Sequence, residues 1–152
     1  MHLNHVLLAT DGSKSSTKAE DYAFYLGHNH DVKLTIIYVL EDKLCHYGEV
    51  DTLAPLEARE SFINYVIDEQ KEVADEVAKA LQQKANNYNN VEYVFKVTQG
   101  EPAEVIASVA KEDKVDLILL GGKRLKKKRG FRIISLTDKL TSLTERTIST
   151  II

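Results

Sequence analysis

Two apolar stretches of the sequence end in small and polar residues that suit the binding of a ligand. Residues 3–9 lead into the turn Thr10-Asp-Gly-Ser13, and residues 115–120 end at the pair Gly121-Gly122. A continuous apolar run of this length predicts a buried parallel strand. Because ligands of open parallel sheets bind outside the carboxyl ends of the strands, the two turns are predicted to form part of one site.

A strongly basic segment, residues 123–132, follows the second turn. Seven of its ten residues are Lys or Arg, and without their charge the chain's net charge of -3 becomes -10. Three interpretations stay open: side chains that bind phosphate oxygens, a surface for a polyanion such as RNA, an acidic protein or an anionic lipid head group, or a solvated loop that favours solubility. The basic residues are Lys123, Arg124, Lys126, Lys127, Lys128, Arg129 and Arg132.

Two polar side chains near these turns have competing interpretations. Ser135, with Asp138 three residues later and leucines at helical spacing, predicts a capped helix start. Capping and anion binding use the same free N–H groups, so Ser135 suits either role. Asp11 likewise suits a turn and helix cap as well as a ligand contact.

The elements that would position these residues alternate between strands and helices. Apolar and β-branched runs predict five strands, and amphipathic patterns predict four helices between them. Strands separated by helices indicate a parallel sheet, since each right-handed crossover needs a dozen or more residues. The predicted strands are 3–9, 32–40, 91–97, 114–120 and 147–152, and the helices follow Ser13, span about 56–85, start near Pro102 and follow Ser135.

The expected fold is therefore α/β, with a five-stranded parallel sheet and helices on both faces. The topological switch point is predicted between the first and fourth strands, and the third strand is predicted at a sheet edge. This places 9–12, 39–41 and the residues from Gly121 onward at one end of the sheet.

Composition bounds the remaining possibilities. A chain of 152 residues with 43% apolar content suits one domain, 1–152, rather than two. The single Cys45 excludes an internal disulfide and suits a reducing compartment. Without a long apolar run or a signal-peptide start, the protein is expected to be soluble and cytoplasmic.

The sequence offers no recognisable catalytic group. The five histidines have no acidic or Cys partner at a metal-binding spacing, and Cys45 has no evident base. Neither a nucleophile elbow nor a phosphate-loop lysine motif occurs. We therefore expect no metal site and no enzyme.

Three motifs resemble those of the universal stress protein family. They are VLLATDGS at residues 6–13, the Gly100-Glu-Pro102 turn before a helix, and VDLILLGG at residues 115–122. The resemblance implies an α/β fold of five parallel strands, also found in the adenine nucleotide α-hydrolase-like proteins. It also implies homodimerisation through the last strand, here 147–152, and ATP binding in one branch. In that branch Asp11, flanked by Thr10, would contact ribose or a metal, and the backbone of Val39 would contact adenine.

The phosphate motif of the ATP-binding branch is only half present. Its pattern is a glycine, two residues, a second glycine, nine residues, then glycine and Ser or Thr. Alignment on Gly121 places Arg124 at the second position and Ile134 at the third, with Ser135 retained. Glycines there allow backbone N–H groups to approach phosphates, and the branched side chain of Ile134 opposes that approach.

The predicted function is that of a universal stress protein that acts by binding and regulation in the stress response, with weak or no ATP binding. One alternative is an ATP-binding switch with a phosphate site rebuilt from basic side chains. The other is a polyanion-binding adaptor that uses residues 123–132. The candidate ligand-binding residues are Thr10, Asp11, Val39, Gly121, Gly122, Arg124 and Ser135.

Overall fold

The computed structural model describes residues 3–41, 56–121 and 136–152. Five strands and four helices alternate along these ranges, beginning and ending with a strand. In chain order they are β1 His5–Ala9, α1 Lys14–Asn29, β2 Lys33–Glu41, α2 Leu56–Asn87, β3 Tyr93–Gly100, α3 Pro102–Glu112, β4 Leu117–Gly121, α4 Leu136–Leu143 and β5 Thr147–Ile151.

The five strands form one sheet in the order β3-β2-β1-β4-β5, and every neighbouring pair is parallel. The central strand β1 pairs with β2 on one side and with β4 on the other. Strands β2 and β3 therefore extend the sheet on one side of β1, and β4 and β5 extend it on the other. The predicted fold class and the predicted switch point between the first and fourth strands are confirmed.

Side chains alternate between the two faces of the sheet, as the pleat of a strand requires. Val6 and Leu8 of β1 pack in a core with α1 and α2, whereas Leu7 packs in a second core with α3 and α4. In β2, Ile36 joins the first core and Ile37 the second. Helices therefore cover both faces, and the sheet is buried between two apolar layers.

The long helix α2 is buried along only part of its predicted apolar stripe. Val77 and Leu81 are buried, but Phe62 is 54% exposed and Val73 is 41% exposed. A helix of 32 residues is about 48 Å long, whereas the nine residues of β2 span about 30 Å. The sequence predicts an amphipathic stripe of Phe62, Val66, Val73, Val77 and Leu81. The helix is longer than the sheet that it covers, so Phe62 and Val73 of this stripe stay exposed.

Several element boundaries also differ from the prediction. The spacing of Ala19, Tyr22, Ala23 and Leu26 predicts one apolar face of α1, but Tyr22 is 39% exposed. The turn residues from Gly27 onward predict the end of this helix, whereas it continues to Asn29. Strand β4 begins at Leu117 rather than at residue 114, because Lys114 has a left-handed backbone conformation with φ of 52°. None of the helices in the described ranges combines the length and apolar character that a membrane span requires.

Candidate ligand-binding site

The turn that follows β1, residues 10–13, has its conformation set by its own hydrogen bonds. The backbone N–H of Thr10 donates to the Ile37 carbonyl at 3.1 Å, which extends the pairing with β2 by one residue. The N–H of Gly12 donates to the Thr10 hydroxyl at 3.2 Å. Gly12 has a φ of +76°, and a Cβ there would lie 2.5 Å from Cγ2 of Val77. A residue without a side chain is therefore required at this turn.

Asp11 lies at the outer side of the turn. Its Oδ1 accepts hydrogen bonds from the Ser13 N–H at 2.9 Å and from the Ser16 hydroxyl at 2.7 Å. Partial burial acts to raise the pKa of Asp11, but the hydrogen bonds from Ser13 and Ser16 outweigh burial and hold the pKa below its ordinary value. The carboxylate is therefore ionised at neutral pH and is oriented by the start of α1.

From the sequence, Ser13, Ser15 and Ser16 are possible caps of α1, but the residue at the N-cap position does not cap the helix through its side chain. Ser13 occupies the N-cap position with an extended backbone, but its hydroxyl makes no cap hydrogen bond. It is instead 2.7 Å from the Ser15 hydroxyl. The side chain that bonds the backbone N–H here is Asp11, which accepts from Ser13.

Gly121 ends β4 in close contact with the backbone of α1. A Cβ at this position would lie 2.5 Å from the Ser15 carbonyl oxygen and 2.6 Å from the Ser16 Cα. Backbone atoms cannot rotate away as side chains can, so a larger residue would push β4 and α1 apart. Packing alone therefore requires the glycine that the sequence had associated with ligand binding.

A cavity of about 110 Å³ opens where β1, β2 and β4 end, at the predicted switch point. Its floor is mostly apolar and is formed by Ile37 of β2, Leu120 of β4 and Ile106 of α3. The exposed residue Asp11 lies at its mouth. The lining residues within the described ranges are Ala9, Thr10, Asp11, Ser16, Ile37, Val39, Glu41, Pro102, Ile106, Leu120, Gly121 and Leu136.

Four of the predicted site residues come together at this cavity: Thr10, Asp11, Val39 and Gly121. Thr10 differs from expectation in orientation, because only 5% of the residue is exposed and its hydroxyl donates inward to Glu20 at 2.7 Å. The remaining predicted positions lie outside the described residues, and so does the basic segment 123–132. These positions are Gly122, Arg124 and Ser135.

Sequence reasoning missed two further groups of residues. The apolar lining from α3 and α4 was not predicted, although Pro102 lies at the first turn of α3 in the Gly100-Glu-Pro102 motif. Glu20 and Lys84 were also missed; their side chains meet at 2.9 Å behind the Thr10 side chain. The available signal was the position of Glu20 on the apolar face of α1.

A wider groove of about 870 Å³ lies at the opposite end of the sheet, lined by the start of β2 and β3 and the ends of α1 and α2. No strand carboxyl end contributes to it, so it is not where ligands of parallel sheets bind. Within the described ranges, no three His, Cys, Asp or Glu side chains gather in a group that could hold a metal ion.

The fold is that of an open parallel α/β protein with a cavity at its switch point. The sequence model of the universal stress protein family matches residues 2–145, and the chain belongs to that family.

Known members of the family are similar over nearly the whole chain. Universal stress protein YxiE of Bacillus subtilis (strain 168) is 27% identical over 140 residues, which cover 92% of this chain and 93% of that protein. The structure of universal stress protein UspA from Lactobacillus plantarum superposes with a TM-score of 0.77 at 19% identity and covers 99% of each chain. A family protein from Arabidopsis thaliana with AMP bound has a TM-score of 0.64 at 16% identity, over 97% of this chain and 90% of that chain.

Proposed function

We propose that this universal stress protein acts in the stress response by binding an adenine nucleotide at the carboxyl end of its sheet, without turnover, and that the phosphates add little to the affinity. One observation carries the proposal. The ionised carboxylate of Asp11 stands at the mouth of an apolar cavity at the switch point between β1 and β4.

The size and lining of the cavity suit the base of a nucleotide. Ligand pockets usually enclose about 300–1,000 Å³, so a cavity of about 110 Å³ takes one part of a ligand and leaves the rest outside. The apolar side chains of Ile37, Val39 and Ile106 offer contact to a flat aromatic ring. Asp11 is an acceptor for ribose hydroxyl groups. The AMP bound to the related Arabidopsis protein supports the same ligand class.

The charge of the described lining does not favour a polyphosphate. Its two ionisable side chains are Asp11 and Glu41, and both are acidic. The glycine pattern that would bring N–H groups to phosphates is interrupted by Arg124 and Ile134. We therefore expect adenosine and AMP to carry most of the binding free energy, with little gained from further phosphates.

Calorimetric titration with adenosine, AMP and ATP, at about 50 mM and about 200 mM salt, tests this function. The proposal requires binding of AMP and ATP with similar dissociation constants. ATP binding at least about tenfold tighter than AMP binding, a gain of about 1.4 kcal/mol, would favour the rebuilt phosphate site instead. Absence of binding by all three compounds at millimolar concentration would refute the nucleotide proposal.

Matched variants locate the bound nucleotide. Val39→Phe fills the cavity from β2 and should abolish AMP binding, whereas Val94→Phe adds the same bulk at a position of β3 that is 46% exposed and should not affect it. Asp11→Asn removes the charge and should weaken binding by about tenfold or more, as the loss of a hydrogen bond to a charged group does. If Val39→Phe binds AMP like the unmodified chain, the ligand lies elsewhere.

The polyanion alternative has its own test because counterion release makes its affinity fall steeply with salt. Fluorescence anisotropy with labelled poly(U) should show no binding at about 200 mM salt if the cavity is the functional site. Tight poly(U) binding with a steep salt dependence, together with no AMP binding, would replace the nucleotide proposal with the adaptor function.

The proposal includes a homodimer that pairs through β5. This strand is an outer strand of the sheet, so one of its edges has no partner strand within the described chain. Ile152 at its end is 68% exposed. An open apolar edge is an aggregation hazard, and pairing with a second copy would cover it.

A further inference from the structure

A carboxylate is buried directly behind the turn that presents Asp11. Glu20 of α1 is 7% exposed and lies on the same helix face as Ala19 and Ala23, which are fully buried. Charged residues are rarely buried to this extent unless they are paired, because the loss of hydration disfavours the charged form. Glu20 therefore needs partners for both of its oxygens.

Both oxygens have a hydrogen-bond donor. Oε1 accepts from the Lys84 Nζ at 2.9 Å, and Oε2 accepts from the Thr10 hydroxyl at 2.7 Å. Burial acts to lower the pKa of Lys84, but hydrogen bonds to Glu20 and Asp21 outweigh burial and raise it. Lys84 is therefore protonated at neutral pH, and its charge faces the Glu20 carboxylate.

The Thr10 hydroxyl links this ion pair to the turn. It donates its one proton to Glu20 and accepts the Gly12 N–H at 3.2 Å. Because the hydroxyl proton of Thr10 points to the Glu20 carboxylate, the lone pairs of the Thr10 oxygen are oriented to accept the Gly12 N–H. The turn at residues 10–13 is thus fixed from the interior by Glu20.

We propose that Glu20 is a positioning residue for the candidate site, which holds the turn at residues 10–13 through Thr10 and so places the Asp11 carboxylate at the mouth of the cavity. The effect on the turn follows from these contacts alone. The effect on a ligand rests on the proposed function, and the two effects are measured separately.

Glu20→Gln is the direct test because it keeps the shape and exchanges one acceptor for an N–H donor. Lys84 still requires an acceptor, so the amide oxygen of Gln faces Lys84 and the amide NH₂ faces Thr10. The Thr10 hydroxyl can then no longer donate its proton to residue 20. We expect the Gly12 amide to exchange with solvent about tenfold faster by NMR, since its hydrogen bond opens more easily. The dissociation constant of AMP should rise at least about fivefold.

Asp21→Asn is the matched control. Asp21 also pairs with Lys84, at 3.1 Å, but it is half exposed and its described contacts do not include Thr10. The exchange rate of Gly12 and the affinity for AMP should both stay unchanged. Equal effects of Glu20→Gln and Asp21→Asn would overturn the positioning role, because the ion pair alone would then account for them.

Variants of Thr10 test the same link from the side of the turn. Thr10→Ser retains the hydroxyl and should retain slow Gly12 exchange, whereas Thr10→Val should lose it. In the Thr10→Val background, Glu20→Gln should have no further effect on AMP affinity, because residues that act through one another are not additive. Full additivity, or equal exchange rates in Thr10→Ser and Thr10→Val, would refute the inference.

The Gly12 measurement needs no ligand. If the unmodified chain binds no AMP, the proposed function fails while Gly12 exchange still decides whether Glu20 fixes the turn. If AMP binds and Glu20→Gln leaves both Gly12 exchange and AMP affinity unchanged, the positioning role fails while the proposed function stands.

Discussion

Gly121 illustrates why a motif residue at this site has two explanations. The space for its Cβ is occupied by the backbone of Ser15 and Ser16, so packing of β4 on α1 requires glycine whether or not a ligand binds. A substitution there would disturb the sheet and the site together. Asp11 and Val39 are therefore the better positions for testing ligand binding.

We predict that Gly121→Ala lowers the free energy of unfolding by about 1–3 kcal/mol, the usual cost of overpacking. Gly27→Ala is the matched control, because its Cβ would meet a side chain, that of Val91 at 2.8 Å, and would approach backbone only at the Val32 carbonyl oxygen, 4.0 Å away. Alanine is also about 0.5–1 kcal/mol better than glycine within a helix, so this change should be nearly neutral. Urea denaturation measures both, and equal stabilities of the two variants would contradict the packing argument.

Asp116 has a structural role at the amino end of the sheet. Its Oδ2 accepts the backbone N–H groups of Asn4 at 2.8 Å and of His5 at 2.9 Å, which ties the start of β1 to β4. The hydrogen bond from Asn4, followed by that from His5, holds the pKa of Asp116 below its ordinary value. The ionised form is thus the one that the fold stabilises.

A carboxyl group whose pKa is lower in the folded protein than in the unfolded chain, where it is about 3.9, stabilises the fold above that pH. This stabilisation is lost as the pH falls through the pKa of the folded state. Asp116→Asn should therefore reduce the loss of stability between neutral pH and about pH 3. Urea titrations across this range measure the difference. An unchanged acid dependence in Asp116→Asn would contradict this assignment.

The site residues that could be predicted are those at strand ends. Thr10, Asp11, Val39 and Gly121 lie at or near the carboxyl ends of three strands. These ends must meet in a parallel sheet, so the convergence of the four residues follows from the fold. Glu20 and Lys84 are 64 residues apart on two helices. Their contact depends on how α1 and α2 pack, which neither spacing nor composition determines.

At the scale of elements, the switch point of the sheet was predictable and the extent of helix burial was less so. Strand–helix alternation leaves few topologies for a parallel sheet, and the glycine turns marked the strand ends. Apolar periodicity in α2 gave the face of the helix but not how far that face is covered. The extent of burial depends on the length of β2 and β3 beneath the helix. The apolar pattern of α2 carries no information on that length.

Leu81→Ala and Val73→Ala compare the covered and uncovered parts of this stripe. Leu81 is 1% exposed, and removing its side chain should cost about 2–5 kcal/mol of unfolding free energy through lost burial and a cavity. Val73 is 41% exposed, and its truncation should stay within about 0.5 kcal/mol of the unmodified chain. Chemical denaturation compares them. A large loss from Val73→Ala would mean that something covers this part of α2.

At the scale of the whole molecule, the described sheet has two outer strands, β3 and β5. Symmetric pairing through β5 uses the same strand from both copies, so every residue meets a defined counterpart. If the strands pair antiparallel about Ser149, Arg146 of one copy lies opposite Ile152 of the other, because residues opposite each other must point to the same face of the sheet. Both residues are exposed, so charges placed there should not disturb the protomer.

This geometry predicts opposite results for two variants of Ile152. Ile152→Lys places a like charge opposite Arg146 and should weaken the dimer by about tenfold or more in its dissociation constant, since like charges directly opposite are destabilising. Ile152→Glu places an opposite charge there and should leave the dimer intact. Sedimentation velocity at low salt separates monomer from dimer. If both variants are dimeric, the interface does not lie at β5. If both are monomeric, the strands do not pair in this antiparallel register.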